Sequence, residues 1–379
     1  MLARQWTLMT IKTALAVLLA PLSCSTAHAQ TYKSSAGPLA VETVVSGLNN
    51  PWSLAFLPDG RMLVTERPGR LRIVADGKLS PPLAGLPKVY ASGQGGLHDV
   101  VLDRNFAQNQ TIYFCFADPH DGGGRTAMAR ARLTDDKLDY VKVIFRQEGP
   151  VSNGRHFGCR IAQTPDNNLI LTMGDHGSYP QEAQNLGNHL GKIVRVTPDG
   201  AVPNDNPFVD RKGAKPEIWS YGNRNVQGAA LHPTSGKLWA HEHGPQGGDE
   251  ANIIEKGKNF GWPVIGYGVN YGGAKLHDAK SKAGMEQPVK YWVPSIAPSG
   301  MAFYSGALFP AWQGNLIVGA LKDEMIVRLT LNGEKVTGEE RMLQGVGERI
   351  RDVRVGPDSA IYLATDSSNG RILRVSPAK

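Results

Sequence analysis

The 379-residue sequence has no long run of helical periodicity, and no apolar stretch approaches the roughly 20 residues that a membrane-spanning helix needs. Lys and Arg exceed Asp and Glu, 41 against 34, yet the basic residues are scattered and no aromatic-interleaved basic stripe is present. These absences argue against stable membrane insertion and against nucleic acid as a partner. The mild positive balance fits an anionic small ligand instead.

Sequence motifs of several common enzyme classes are also missing. The glycine-rich stretch GQGGLHD (93–99) is not a GxGxxG fingerprint and lacks a strand–helix–strand setting, which argues against nicotinamide binding. No GxSxG elbow and no P-loop occur. The function must therefore be inferred from less familiar features.

The first 29 residues have the features of a secretory signal peptide. Arg4 and Lys12 precede or flank the apolar segment ALAVLLAPL, and Ala27-His28-Ala29 provides small residues at the cleavage positions. We therefore expect cleavage after Ala29, a periplasmic or secreted location, and one catalytic domain formed by residues 30–379.

Cysteine is scarce, and Cys24 would be lost with the signal. An oxidising compartment permits a disulfide between the remaining Cys115 and Cys159. Two buried free thiols are an equally open interpretation, because geometry decides the matter.

Six related units follow one another along the chain. Each contains a strand, a tight turn that is often Pro-Asp-Gly, a second strand, a polar excursion and a third strand. They occupy residues 52–74, 96–117, 159–196, 227–244, 299–331 and 351–375. Short strands at regular spacing are typical of a sandwich, a barrel or a propeller. We predict an all-β, six-bladed β-propeller of four-stranded antiparallel sheets, with a β-sandwich as the alternative.

Three long insertions rich in Gly, Asn and Pro interrupt the units at 178–190, 200–216 and 244–298. Most are expected to follow the second strand of a blade. Such connections gather at one mouth of a propeller channel, where ligand sites form.

Unusual polar residues recur at the starts and ends of the predicted blade strands. They are Gln94, His156, Arg224, Asn225, Tyr271, Lys322, Arg349 and Arg351. In a ring, equivalent positions point at one axis, so the cations among them predict a polyanionic ligand. The alternative is that the arginines among them are ordinary surface residues.

His156 lies between two nearby glycines, Gly154 and Gly158, which would allow a substrate to approach its ring. A neutral imidazole suits the removal of a hydroxyl proton near neutral pH. A purely structural histidine is the alternative.

The stretch HEHGPQGGDE (241–250) resembles a metal site. His241 and His243 alternate as two zinc ligands could, but no third His or Cys is near and HExxH is absent. Calcium accepts backbone carbonyls, such as those of Gly244 and Pro245, together with carboxylates. Calcium is therefore the better candidate.

Several longer motifs, in order along most of the mature chain, resemble the soluble aldose sugar dehydrogenases that use pyrroloquinoline quinone (PQQ). They include PWSLAFLPDGRMLVTERPGRL, GQGGLHDV, RHFGCR, YGNRNVQG, EHGPQGGDEANII, GVNYGG, ALKDEMIVRL and RIRDVRVGPDSAIYLATD. The resemblance implies a propeller with the quinone across the channel mouth and His156 as the catalytic base. It implies quinone contacts from Gln94, Arg224, Asn225, Tyr271, Lys322, Arg349 and Arg351. It also implies that the carbonyls of Gly244 and Pro245 hold the cofactor's calcium, and that Glu250 with the carbonyl of Phe260 holds a second calcium.

The resemblance further implies oxidation of an aldose at C1 to the lactone. Calcium and Arg224 would polarise the quinone, and electrons would pass to an external quinone, cytochrome or dye. The expected assembly is a monomer or homodimer. Arg155 stands where the glucose-oxidising branch has a carboxylate, so the sequence does not show which group orients His156. Two rival functions are a calcium-dependent propeller lactonase or esterase, and a non-catalytic ligand-binding propeller.

Overall fold

The computed structural model describes residues 30–151, 154–277 and 279–378. The predicted signal peptide, residues 1–29, lies outside the described residues. Within them, 25 strands form six sheets, and helical structure is limited to a short helix α1 (Phe106–Asn109) and the 3-10 turns Pro180–Gln184 and Pro310–Trp312. The prediction of an all-β, six-bladed propeller is confirmed.

The first five sheets are four-stranded antiparallel blades, each built from consecutive strands. Blade 1 contains β3 (Pro51–Phe56), β4 (Met62–Glu66), β5 (Arg70–Ala75) and β6 (Lys78–Leu79). Blade 2 contains β7 (Leu97–Leu102), β8 (Thr111–His120), β9 (Gly123–Leu133) and β10 (Leu138–Arg146). Blade 3 contains β11 (Ile161–Gln163), β12 (Leu169–Thr172), β13 (Lys192–Val196) and β14 (Ile218–Tyr221). Blade 4 contains β15 (Val226–Leu231), β16 (Leu238–Glu242), β17 (Asp249–Ile254) and β18 (Lys290–Trp292). Blade 5 contains β19 (Pro298–Phe303), β20 (Leu316–Ala320), β21 (Met325–Asn332) and β22 (Lys335–Met342).

The sixth blade joins the two ends of the chain. Its inner strands are β23 (Ile350–Val355), β24 (Ile361–Thr365) and β25 (Gly370–Pro377), and its outer strand is β2 (Leu39–Leu48), to which β1 (Gln30–Tyr32) adds a fifth. The β2–β25 pairing runs from Leu39 opposite Pro377 to Leu48 opposite Gly370. This pairing closes the ring through backbone hydrogen bonds and protects the edge of the last blade.

The hydrophobic core lies mainly between neighbouring blades. Leu63 and Leu71 of blade 1 pack in one buried cluster with Phe114 and Ala129 of blade 2. All five residues of β4 are buried, which shows that an inner strand is covered on both faces. Because a single blade cannot bury both of its faces alone, the ring as a whole supplies the stability.

The long insertions reach the channel mouth by two routes. Residues 178–190 follow the second strand of blade 3, as predicted, and 244–248 follow the second strand of blade 4. Residues 200–216 and 255–289 follow third strands, so for these the prediction is wrong. Because antiparallel strands alternate in direction, these two segments begin at the opposite end of the blade. The second of them returns beside β14, the outermost strand of blade 3, where Phe260 N–H donates to Tyr221 O at 2.9 Å.

None of the helices in the described part of the chain has the length and apolar character needed to cross a membrane.

Candidate functional site

A cavity of about 340 Å³ lies at the channel mouth. Every blade contributes to its lining through a first strand or a loop beside one: Trp52, Gln94, Phe157, Asn225, Ala297 and Arg351. The volume is within the range of roughly 300–1,000 Å³ that is typical of small-molecule sites. The predicted convergence of distant segments on one axis is therefore present in the fold.

Three arginines, Arg67, Arg349 and Arg351, line the cavity and give it a positive charge. Arg351 donates to Asp366 Oδ2 at 2.6 Å and to Gln227 Oε1 at 3.0 Å, while the Nε of Arg349 lies 3.8 Å from the same carboxylate. Burial alone would raise the pKa of Asp366, but the charge and hydrogen bond of Arg351 outweigh it and hold that pKa well below its usual range. Two guanidinium groups thus share one carboxylate. In addition, the buried Nε of Arg351 has no hydrogen-bond partner among the described residues.

Arg224 is a further cation; it is buried and directly precedes the lining residue Asn225, but it is not itself part of the lining. Its Nη1 donates to the carbonyls of His243 at 3.1 Å and Gly244 at 2.9 Å, and its guanidinium lies 5.3 Å from the centre of the Trp262 ring. No Asp or Glu of the described chain lies within ion-pair distance of its side chain. A buried guanidinium without an ion-pair partner attracts an anionic group.

His156 lies next to Phe157 of the cavity wall, in a loop before β11. Its Nδ1 is 2.7 Å from Asp175 Oδ1, and its backbone N–H donates to Gln94 Oε1 at 2.9 Å. Burial lowers the pKa of His156 below the ordinary value of 6.5, although Asp175 opposes the shift. The imidazole is therefore neutral at pH 7. With the proton on Nδ1 shared with the carboxylate, Nε2 keeps the lone pair that a general base needs.

Asp175 is the group that orients His156, and sequence analysis missed it. Its Oδ1 also accepts from Gly177 N–H at 2.7 Å, and its Oδ2 accepts from Trp262 Nε1 at 2.8 Å. The carboxylate is only 1% exposed. Its position, three residues after the end of β12, was the available signal, because second strands also end at the channel mouth. Position 155, an arginine, provides no carboxylate to orient His156; Asp175, which follows β12, provides it instead.

Replacement of Asp175 by asparagine is expected to lower kcat by about 10- to 100-fold, because the amide no longer fixes the tautomer and orientation of His156. Since Asp175 raises the pKa of His156 against the effect of burial, its loss should move the acid limb of the kcat profile to lower pH. The pH profile of steady-state sugar oxidation measures both effects. Asp103→Asn is the matched control, since Asp103 is also buried and hydrogen-bonded but follows β7 at the far end of the channel. An unshifted limb in Asp175→Asn would contradict the assignment.

Of the remaining predicted contacts, Gln94 and Asn225 line the cavity and Lys322 and Tyr271 do not. Lys322 directly follows the lining residue Leu321, and its Nζ donates to Ser295 O at 3.0 Å. Tyr271 is 68% exposed in the 255–289 segment. The quinone contacts assigned to these residues stay predictions. The lining residues that were not assigned from the sequence include Trp52, Arg67 and His98.

A second, much smaller cavity of about 20 Å³ lies behind the 244–248 turn. Glu242 and Glu250 line it from directly opposed positions on β16 and β17. Burial raises the pKa of both groups, and the charge of Glu250 raises that of Glu242 further. Like charges opposite each other in a sheet are destabilising unless a cation or a proton compensates. Glu242 was not assigned from the sequence.

The other predicted metal ligands lie around this small cavity. Gly244, Pro245 and Phe260 line it together with the two glutamates. The carbonyl of Gly244 accepts a hydrogen bond from Arg224, and no three His, Cys, Asp or Glu side chains form a metal cluster in residues 30–151, 154–277 and 279–378. Of the two histidines of the stretch only His243 lines this cavity, and its Nε2 bonds to Pro298 O at 2.6 Å, whereas His241 is buried in blade 4, so they do not form a zinc pair there.

Fold and site together define a propeller enzyme with a cationic ligand cavity and a His–Asp pair at the channel mouth. The model of the glucose/sorbosone dehydrogenase family matches residues 48–374, and the chain belongs to this family. It is 49% identical over 344 residues to the aldose sugar dehydrogenase YliI of Escherichia coli, covering 89% of this chain and 92% of that protein.

Solved structures agree with this assignment. The apo-form of the soluble aldose sugar dehydrogenase from Escherichia coli has a TM-score of 0.87 at 47% identity, covering 90% of this chain and 100% of that chain. The PQQ-bound form of the aldose sugar dehydrogenase from Streptomyces coelicolor has a TM-score of 0.73 at 29% identity, covering 89% of this chain and 98% of that chain. The resemblance found in the sequence motifs is confirmed.

Proposed function

We propose that the protein oxidises aldose sugars at C1 with PQQ bound in the channel-mouth cavity. The observation that carries this proposal is the convergence of Arg224, Arg349 and Arg351 beside the His156–Asp175 pair. Cationic groups suit a carboxylated cofactor, and a neutral, oriented imidazole suits removal of a hydroxyl proton. The relation to PQQ-bound aldose sugar dehydrogenase supports the choice of cofactor and substrate class.

The residues present fit a flat, tricarboxylated quinone. The buried Nε of Arg351 lacks a hydrogen-bond partner within the described chain, and the guanidinium of Arg224, which donates to the carbonyls of His243 and Gly244, forms no ion pair there. Both groups would gain charge-assisted hydrogen bonds from an anionic ligand. When bound, PQQ supplies a two-electron acceptor for the hydride of the sugar.

The protein's own residues would then act as follows. Arg224 would stabilise negative charge that develops on the acceptor side of the reaction. His156 Nε2 would take the proton from the anomeric hydroxyl, and Asp175 would stabilise the imidazolium that forms. Loss of that proton with the C1 hydride converts the hemiacetal into a lactone, which is the product we propose. An external acceptor would receive the electrons outside the cell or in the periplasm.

We also propose calcium as a cofactor. Two buried carboxylates opposed across a small cavity, with backbone carbonyls nearby, provide the hard oxygen ligands that calcium prefers. Glu242 and Glu250 would lose their mutual repulsion on binding the ion. The carbonyls of Gly244 and Pro245 would bind the other calcium ion, the one that belongs to the quinone.

A hydrolase with calcium held by channel carboxylates is less favoured. The carboxylates Asp99 and Asp352 in the channel already pair with Arg160, at 3.2 and 2.9 Å, and with Arg354. These ion pairs occupy the ligands that such a hydrolase would need. A non-catalytic binding module would not require the oriented His156.

Reconstitution tests the proposal directly. Apo-protein from a host that makes no PQQ is expected to oxidise aldoses with a dye only when PQQ and calcium are added together. PQQ absorbance titration and a calcium-dependent rise in the melting temperature give readouts apart from activity. Glu242→Gln/Glu250→Gln should remove the calcium-dependent rise, whereas Glu255→Gln, an exposed glutamate after β17, should keep it. Sugar oxidation without added PQQ would rule the proposed function out.

A further inference from the structure

A disulfide ties the loop that carries His156 to the neighbouring blade. Cys115 lies in the middle of β8 opposite Met128 of β9, and Cys159 lies three residues after His156. The two Cα atoms are 5.7 Å apart, and both cysteines are fully buried. The bond therefore joins blade 2 to the start of blade 3. The sequence left open whether the two cysteines are disulfide-bonded or free thiols, and the structure has them bonded.

The loop has an unusual backbone that needs external support. Its φ angles are positive at Gly154, His156, Gly158 and Cys159, with values of 84°, 52°, 66° and 81°. Residues that carry a Cβ rarely adopt this region, so His156 and Cys159 hold it only where the surroundings enforce it. Glycine would be the favoured residue at position 159 on conformational grounds alone. A cysteine there is best explained by the bond it forms.

The loop also packs directly on the backbone that leads to Asp175. A Cβ added at Gly174 would lie 2.0 Å from His156 O, and one added at Gly158 would lie 2.7 Å from the carbonyl carbon of Met173. Any shift of the loop therefore changes the distance between His156 and Asp175. Hydrogen bonds also support the loop near His156, such as that from Gly158 N–H to Asn225 Oδ1 at 3.2 Å.

We propose that the Cys115–Cys159 disulfide is a positioning element for His156. It holds the loop in its strained conformation, so that the imidazole stays buried against Asp175. The proposal rests on the proposed function insofar as His156 acts as the base. Its effect is on the orientation of the imidazole and not only on the stability of the propeller.

The variant Cys115→Ala/Cys159→Gly tests this, because glycine keeps the backbone conformation accessible without the bond. We expect kcat to fall by about tenfold, while KM and the PQQ affinity change by less than about twofold. Because burial is the largest cause of the depressed pKa of His156, a loosened loop should raise that pKa toward 6.5. The acid limb of the kcat profile should therefore move to higher pH, opposite to the shift expected for Asp175→Asn.

Leu169→Ala is the matched control. Leu169 belongs to the same buried cluster as the two cysteines but lies at the other end of blade 3, opposite Val196. It should lower the melting temperature without moving the pH limb. Wild-type protein with both thiols kept reduced, and its fold verified by circular dichroism, repeats the test without substitutions.

NMR titration of the His156 imidazole in the cofactor-free protein decides the matter independently of activity. A higher His156 pKa in the variant and in the reduced protein supports positioning. An unchanged pKa and pH limb, with only a lower melting temperature, overturns it. Failure of the wild type to oxidise sugar with PQQ and calcium would refute the proposed function, whereas the titration would still decide the role of the disulfide.

Discussion

Replacement of His156 by glutamine is expected to lower kcat by about 10³-fold, because loss of a positioned general base typically costs roughly 10²- to 10⁴-fold. The glutamine amide can still donate to Asp175, which lies 2.7 Å from the imidazole, so the local hydrogen bonding is largely kept. It cannot take the proton of the anomeric hydroxyl. Single-turnover reduction of bound PQQ by excess sugar measures this chemical step directly.

His232→Gln is the matched control for that experiment. His232 is also buried and bonded through Nδ1 to Ser235, but it follows β15 at the far end of the channel. The control should keep the wild-type rate, and His156→Gln should keep the wild-type PQQ affinity. A rate loss of less than about tenfold in His156→Gln would mean that another group takes the proton.

The blade repeat could be predicted from the sequence because tight turns fix it locally. Pro58-Asp59-Gly60 joins β3 to β4, with Gly60 at φ 89°, and related turns recur in other units. The closing strand could not be found in this way. β2 belongs to no repeat unit, and its partner β25 lies more than 300 residues later. Pairing at that separation depends on ring closure and not on any local signal.

Site residues could be predicted where a polar or charged side chain stands at the same position of its blade as others do in theirs. Arg351 lies in the first strand β23, and Asn225 directly precedes the first strand β15. Both line the cavity, as the ring argument requires. The ring argument also included Tyr271, but this residue lies in a long segment between β17 and β18, outside the repeat, and does not line the cavity. Asp175 and Glu242 were missed because their roles depend on partners across strands. The pairing of Asp175 with His156 and of Glu242 with Glu250 is visible only once the register is known.

Loss of the Arg224 guanidinium is expected to have the second-largest effect on activity. In Arg224→Gln, kcat should fall by about 10²- to 10³-fold, the usual loss when one preorganised donor to a developing negative charge is removed. PQQ affinity should fall as well, because a buried charge-assisted contact is lost. Stopped-flow reduction and absorbance titration separate the two effects.

Two further variants decide whether charge or geometry matters at this position. Arg224→Lys keeps the charge but lacks the planar guanidinium, whose Nη1 donates to the carbonyls of both His243 and Gly244, so an intermediate rate indicates that charge and geometry both contribute. Arg195→Gln is the matched control, since Arg195 is also buried and lies 5.0 Å from the Trp219 ring, but on the other end of blade 3. It should cost stability and leave kcat unchanged. If Arg224→Gln and Arg195→Gln affect kcat equally, Arg224 supports the fold and not the reaction. The cationic cavity would then serve binding alone, with His156 and Asp175 left as the only groups assigned to the chemical step.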